Sequence, residues 1–360
     1  MKRTICSAIF FSFFIMLGCT DPKDTSTEYV HRLIELNKVD EFVLSGDGIT
    51  IGRIETPAIV TQRNEGKRII FYDTALNQIL VADTSGNLLH SMGSVGSGPE
   101  EFRNINSFGI DADTIIVNDA SLDLVKKFTF DGELIGMHEA MAKDNIWHRS
   151  NRLFAYQGHY YYGTQEADKS QPNNHWESGI IAKYKKNGEL VEVFGSYHPS
   201  LIKTSRLYNY ANLLQRKDGD FYTTHRTSFQ IQRFSGKTGE LVSSFGVKSP
   251  YFKISKERPR VTDTREVKNK MNTAFSFVDD AFVSNTYLAF HFFNFTTEYW
   301  LSRNPNEKEN YFQIYDLSDN YIGDIVLPFY PLSMDDDSKI YLLEDDNPDN
   351  YTIGVYEMVL

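Results

Sequence analysis

One short phrase recurs along this chain: a turn ending in Gly, one polar residue, then an apolar pair that opens a strand. It reads Ser85-Gly86-Asn87-Leu88-Leu89, Asp131-Gly132-Glu133-Leu134-Ile135, Asn187-Gly188-Glu189-Leu190-Val191 and Thr238-Gly239-Glu240-Leu241-Val242. Gly is demanded where a two-residue hairpin forces positive φ, so each copy marks a hairpin. The copies stand about 50 residues apart, a propeller-blade period. A chain built by multiplying one unit has its architecture constrained before any chemistry is known.

A fifth copy is degraded. Tyr311 to Gly323 keeps the strand and turn but places Asn320 where Gly is expected, and Asn tolerates the left-handed region. The charged stretch from Val247 to Thr273, with Pro250 and Pro259, reads as an inserted excursion. A sixth unit is split between the termini. Lys339 to Glu344 and Thr352 to Glu357 supply C-terminal strands, and either Val39 to Leu44 or Ile49 to Ile54 supplies the missing one. The expected fold is therefore all-β, a six-bladed β-propeller whose termini close a shared blade, which leaves no broken ring. Tyr, Phe, Ile, Val and Thr dominate the apolar runs, and only His31 to Asn37 and Arg265 to Phe275 read as helical.

The first 18 residues read as an export signal. Lys2 and Arg3 precede an apolar run, Ile5 to Leu17, that is too short to span a bilayer as a helix. Leu17-Gly18-Cys19 closes it in the manner of a bacterial lipobox, so Cys19 is the expected lipidation site. Residues 19–28 then form a flexible tether and 29–360 the propeller domain. Cleavage at Cys19 leaves no other cysteine, hence no disulfide and no thiolate metal site. The formal net charge is −11 before Lys2 and Arg3 are lost, which argues against nucleic acid as a partner. The address expected is the cell envelope, lipid-anchored in the outer membrane, with the membrane as one partner.

Between the first two phrases lies Gly93-Ser94-Val95-Gly96-Ser97-Gly98-Pro99-Glu100-Glu101-Phe102, followed by Phe108-Gly109-Ile110-Asp111 and Ile115-Ile116-Val117-Asn118-Asp119. This run resembles the NHL-type propeller repeat, and more closely the six-bladed β-propeller lipoproteins of Bacteroidota. The resemblance implies the fold and an envelope location. It implies no activity, because such propellers host binders, lyases and hydrolases alike. Read from its residues, the motif of Gly96, Gly98, Pro99, Glu100, Glu101 and Phe102 is structural. Pro99 extends Gly98, Ser97 and Glu100 have capping-box spacing for one helical turn, and Phe102 packs beneath the inter-blade crossing. The functional alternative makes Glu100 and Glu101 the lining of a channel mouth.

Chemistry is sparse. Asp335-Asp336-Asp337 and Asp345 to Asn350 read as solvated turns, with Ca²⁺ the lesser alternative, and no cofactor or resident metal is expected. Two aromatic clusters have the character of a ligand site: Trp147-His148-Arg149, and His175-Trp176 in a long hairpin loop. A ring to stack on with donors at its rim suits a glycan, a peptide or an envelope protein. No nucleophile motif or paired metal spacing appears. The reading is a binding module, with a propeller hydrolase or lyase at the central channel as the alternative. Three or more convergent His, Glu or Arg would favour catalysis, and an aromatic face would favour binding.

Overall fold

Each Gly phrase closes the hairpin between the third and fourth strands of a four-stranded meander. The left-handed residue is Gly86, Gly132, Gly188 or Gly239, at φ of 89°, 86°, 90° and 73°. The loop is one residue longer than the two-residue hairpin expected in the first three copies, and two longer in the fourth, where Ser235 pairs with Glu240. Asp83 N–H donates to Asn87 O and Gly86 N–H to Asp83 O, which encloses Thr84, Ser85 and Gly86. The register slips by one immediately afterwards, the bulge that a left-handed third loop residue produces. In the fifth copy the left-handed residue is Asp319, at φ 69°, and not Asn320. Asn320 instead matches Asn87: both hydrogen-bond, through backbone and side chain, to the Asp that opens the turn, Asp316 and Asp83 respectively.

This computed structural model describes residues 30–46, 48–54, 58–64, 66–139, 146–166, 179–199, 211–255, 262–347 and 350–360. They are arranged as four four-stranded sheets and one eight-stranded sheet. The eight-stranded sheet is two blades joined edge to edge, giving six. The innermost strands are Ile59–Arg63, Ile105–Asp111, Ile146–Tyr156, Ala211–Gln215, Ser276–Val283 and Tyr330–Met334. Around a central axis, neighbours in this set from the second blade through the sixth to the first pack against one another. The ring closes through Glu35–Val43, which pairs antiparallel with Thr352–Val359 as the outermost strand of the sixth blade. Of the two candidate closing segments, the first is therefore the strand, extended at its start. Helix is displaced from His31 to Asn37 because this edge needs a fourth strand, and Ile34 is buried against the fifth and sixth blades. The other expected helix forms as Arg265–Asn272 (α1), with Thr264 as its N-cap.

Blades bury both faces, which is why their middle strands read as unbroken apolar runs. Alternate residues feed different interfaces. Ile69 and Phe71 pack with the sixth blade, and Ile70 packs with the second. Tyr160 and Tyr162 face the second blade while Tyr161 packs at a tilt against Phe221 of the fourth at 4.5 Å. All three tyrosines are buried, so none supplies open aromatic surface.

Between the second and third blades main-chain pairing of the inner strands adds to the side-chain packing, with Arg152 opposite Phe108 in parallel register. Gly109 makes this approach feasible: a Cβ there would collide with the carbonyl oxygen of Leu153.

The Gly96 to Phe102 segment is a turn and not a helical turn. Glu101, and not Ser97 with Glu100, does the capping: its carboxylate accepts from Ser97 N–H at 2.8 Å and Gly98 N–H at 2.7 Å. Lys126, buried on the third strand of the second blade, donates to the carbonyls of Gly98 and Glu101. Pro99 and Glu100 are exposed, and Phe102 is fully buried against Phe128, edge to face at 5.7 Å. The Glu101 carboxylate is thus committed to its own loop.

Candidate functional site at the channel

The two ends of the ring differ. One carries the short turns between first and second and between third and fourth strands. The other carries the inter-blade connections and two excursions, residues 246–275 with α1 and residues 295–308 with the helix Thr297–Ser302 (α2). The second excursion folds back over the sixth blade. Asn306 Oδ1 accepts from Tyr330 N–H at 2.7 Å, and Asn306 Nδ2 donates to Leu343 O at 2.9 Å.

Beneath this excursion the inner strand of the fifth blade carries a bulge between Val278 and Asp280. The bulge inserts Asp279 into an otherwise apolar run and places two acids beside the channel. Tyr330 Oη donates to Asp279 Oδ2 at 3.0 Å, Arg226 Nη1 lies 3.7 Å from Oδ1, and His291 Nδ1 lies 3.9 Å from Oδ2. Arg152 reaches Asp280 at 3.2 Å from the third blade. Burial opposes ionisation of Asp279, yet Lys308, Arg226, His291 and the Tyr330 hydroxyl outweigh it and hold its carboxyl below the usual range. Asp280 goes the other way: burial raises it to about 6 in spite of Arg152. Burial lowers His291 to about 4, against the pull of Asp279, so the ring is neutral at pH 7.

Above the acids stands an aromatic wall. Lys308 Nζ lies 4.2 Å from the Phe293 ring centroid, 5.0 Å from Tyr299 and 5.2 Å from Tyr330. Phe295 stacks on Trp300 at 4.5 Å, and the Arg303 guanidinium covers Trp300 at 4.8 Å. Arg303 ends α2 in the left-handed region, φ 65°, where Gly is the usual occupant. Trp300 Nε1 is buried with no hydrogen-bond partner among the described residues. These contacts run unbroken from the inner strand of the sixth blade to the rim, with Phe293 and Tyr330 buried along the way.

The sequence of this chain matches the DUF5128 family, described as "6-bladed beta-propeller", over residues 50–341. The chain belongs to that family. Solved structures agree on the fold. A DUF4221 family member from Bacteroides vulgatus superposes with TM-score 0.72 at 11% identity, over 91% of this chain and 98% of that one. A putative exported protein from Bacteroides fragilis gives 0.60 at 12% identity, over 91% and 95%. No curated protein matches the sequence.

Within this 6-bladed beta-propeller the expected ligand residues fall unevenly. Trp147, His148 and Arg149 lie on the inner strand of the third blade, at its loop-bearing end, with Trp147 opposite Gln165 and His148 opposite Thr164. His175, Trp176 and Cys19 lie outside the described residues. The Asp335 to Asp337 turn is not wholly solvated. Asp335 is buried, accepts from Asp337 and Lys339 N–H, and holds Lys67 of the first blade at 2.6 Å. Among the described residues no cluster of His, Cys, Asp or Glu is arranged to hold a metal. Sequence reasoning passed over the Asp279-Asp280 and Trp300 groups. The acidic doublet inside the apolar strand Ser276–Val283 was the signal for the first, whereas the second depends on how the excursion folds back.

Proposed function

We propose that this propeller is an envelope-anchored binding module that takes a glycan or peptide at the loop-bearing mouth of its channel. The observation that carries the reading is the chain of contacts from Trp300 and Arg303, through Lys308 and Tyr330, to Asp279 and Arg226. Rings and cations packed together, above a charged floor, suit a ligand with an apolar face and polar rim. Trp147, His148 and Arg149, at the same end of the third blade, extend the site, and the His175 and Trp176 loop is a further contributor. Lipid on Cys19 supplies the anchor. Convergent His and Arg were the mark of catalysis, and they are present. Their roles are already filled, however. His291 is buried with Nε2 against Asn310 Oδ1 at 3.1 Å, and both arginines face carboxylates. A group so engaged is a poor acid or base for an incoming substrate.

The alternative, a hydrolase or lyase, draws on one observation: Asp280, at about 6, is tuned for proton transfer near neutral pH. Titration against glycan and peptide libraries separates the readings. Binding lost in Trp300→Ala and Arg226→Ala, with no turnover, supports the module. Turnover of a library member that Asp280→Asn abolishes establishes the enzyme instead. Unchanged binding in both variants removes this site from consideration.

A further inference from the structure

The opposite end of the ring holds a cavity of about 420 Å³ between the first and second blades. It is far from the channel mouth and plays no part in the reading above. Arg63, Arg68, His90, Asp113, Phe130 and Asp131 form most of its wall. That volume falls in the range that encloses a small molecule, such as a single sugar, and is too small for a folded partner.

The charges are sorted by depth. Asp113 and Asp131 are almost fully exposed at the rim, with side-chain exposures of 84% and 86%. Arg63, at 24%, and the half-buried Arg68 lie deeper. Arg63 is held in place from one side. Its Nη1 donates to Asp113 Oδ1 at 2.7 Å and to Ala112 O at 3.2 Å, and its plane lies over the Phe130 ring at 4.2 Å. Both bonds use Nη1, so Nε and Nη2 remain a pre-aligned pair of donors with no protein partner among the described residues. His90 Nε2 sits 3.6 Å from Asp131 Oδ1, which places that imidazole at the same opening.

We infer that this cavity is a second ligand site, for an acidic monosaccharide whose carboxylate meets Arg63 and whose hydroxyls meet the rim aspartates. A planar carboxylate matches two parallel N–H donors of a guanidinium. Sugar hydroxyls donate to carboxylates and accept from imidazole, so the acidic rim tolerates a hydroxylated anion better than a bare one. Leu89 and Phe130 give the ring carbons an apolar contact.

The test is calorimetric titration of the full soluble domain with glucuronic and galacturonic acid, with glucose and galactose as uncharged counterparts, and with inorganic phosphate. A uronic acid should bind, its neutral parent at least roughly tenfold more weakly, as loss of a charge-assisted pair of bonds requires. Arg63→Ala and the charge-preserving Arg63→Lys should both weaken uronate binding, with an unchanged melting transition as the control for folding. Trp300→Ala, at the other end, should leave it unaltered, so failure here and failure of the channel-mouth reading are separable. No binding by either uronic acid, equal binding of the neutral sugars, tighter binding of phosphate, or full affinity in Arg63→Ala would each overturn the assignment.

Discussion

Arg152, on the inner strand of the third blade, places Nη2 3.2 Å from Oδ2 of Asp280 on the inner strand of the fifth. The fourth blade lies between them in the ring, so the pair is a strut between two blades that are not neighbours. Both side chains are about nine-tenths buried, at 11% and 10% exposure. Removing one partner therefore strands a charge in a poorly solvated place, whereas replacing both with apolar groups does not. Arg152→Ala should cost about 3–5 kcal/mol of unfolding free energy by the usual size of such losses. Arg152→Met with Asp280→Leu should recover most of it. Urea unfolding of the two variants decides, and equal losses in both would show that the strut acts through packing alone.

Acid should weaken the fold through its buried histidines. Burial lowers His225 and His291 each to about 4, so between there and 6.5 the unfolded chain binds protons that the folded one does not. Their contribution is complete above 6.5 and is lost as pH falls toward 4. Asp280, raised to about 6, works in the opposite sense, since the folded form takes up its proton first on acidification. Asp220 and Asp324 are raised by burial as well, but His138 and His198 are lowered by it. Four histidines therefore stand against three carboxyls, and stability should fall from pH 6.5 to 4. Replacing His225 and His291 with Gln should flatten that slope in urea titrations at stepped pH. A slope unchanged by the replacement would assign it to other groups.

Closure predicts all-or-none behaviour. The strand Thr352–Val359 is paired on one side by Ile340–Asp345 and on the other by Glu35–Val43. Deleting Ile340 to Leu360 leaves the first and fifth blades each with an uncovered face. The whole domain should then lose its cooperative transition in calorimetry. A truncated chain that melts as the intact one does would refute the role of the shared blade.

Lys126 gives a local test of the Gly-Pro-Glu-Glu-Phe loop. Its ammonium satisfies two loop carbonyls in a place closed to water, where an unpaired carbonyl costs about 1–3 kcal/mol. Lys126→Met should destabilise by a few kcal/mol on that basis. Glu100→Gln, on the exposed tip, should be neutral. The reverse order in thermal melts would return Glu100 to the functional alternative.

Lipidation at Cys19 is checked separately: Cys19→Ala should release the protein from membranes or leave an uncleaved precursor. A processed, acyl-free N-terminus with unchanged membrane association, seen by mass spectrometry, would contradict it.

The blades were legible because turn chemistry is local. Gly86 and its counterparts announce themselves within five residues, whatever the rest of the chain does. The one-residue slip at Asp319 shows the limit: Asp and Asn both tolerate a left-handed φ, so composition alone does not say which of two neighbours takes it. The first residues of the closing strand misled for a different reason, since their structure is imposed by Thr352–Val359, more than 300 positions away. The channel site was the least legible part. Arg152, Arg226, Asp279, His291 and Tyr330 come from four blades, and nothing in their spacing announces that the ring brings them together.

The parallel seam between the second and third blades has a mechanical consequence. Blades that meet through side chains can slide past one another, but a main-chain seam resists sliding, so these two blades act as one plate. The joint between the sixth and first blades is pinned by Lys67 on Asp335, whose carboxylate also accepts from the Tyr341 hydroxyl of its own blade. The cavity at Arg63 sits where the first blade abuts the fused plate. One wall of that cavity therefore belongs to the fused plate, and the other to a blade fixed on its far side by an ion pair.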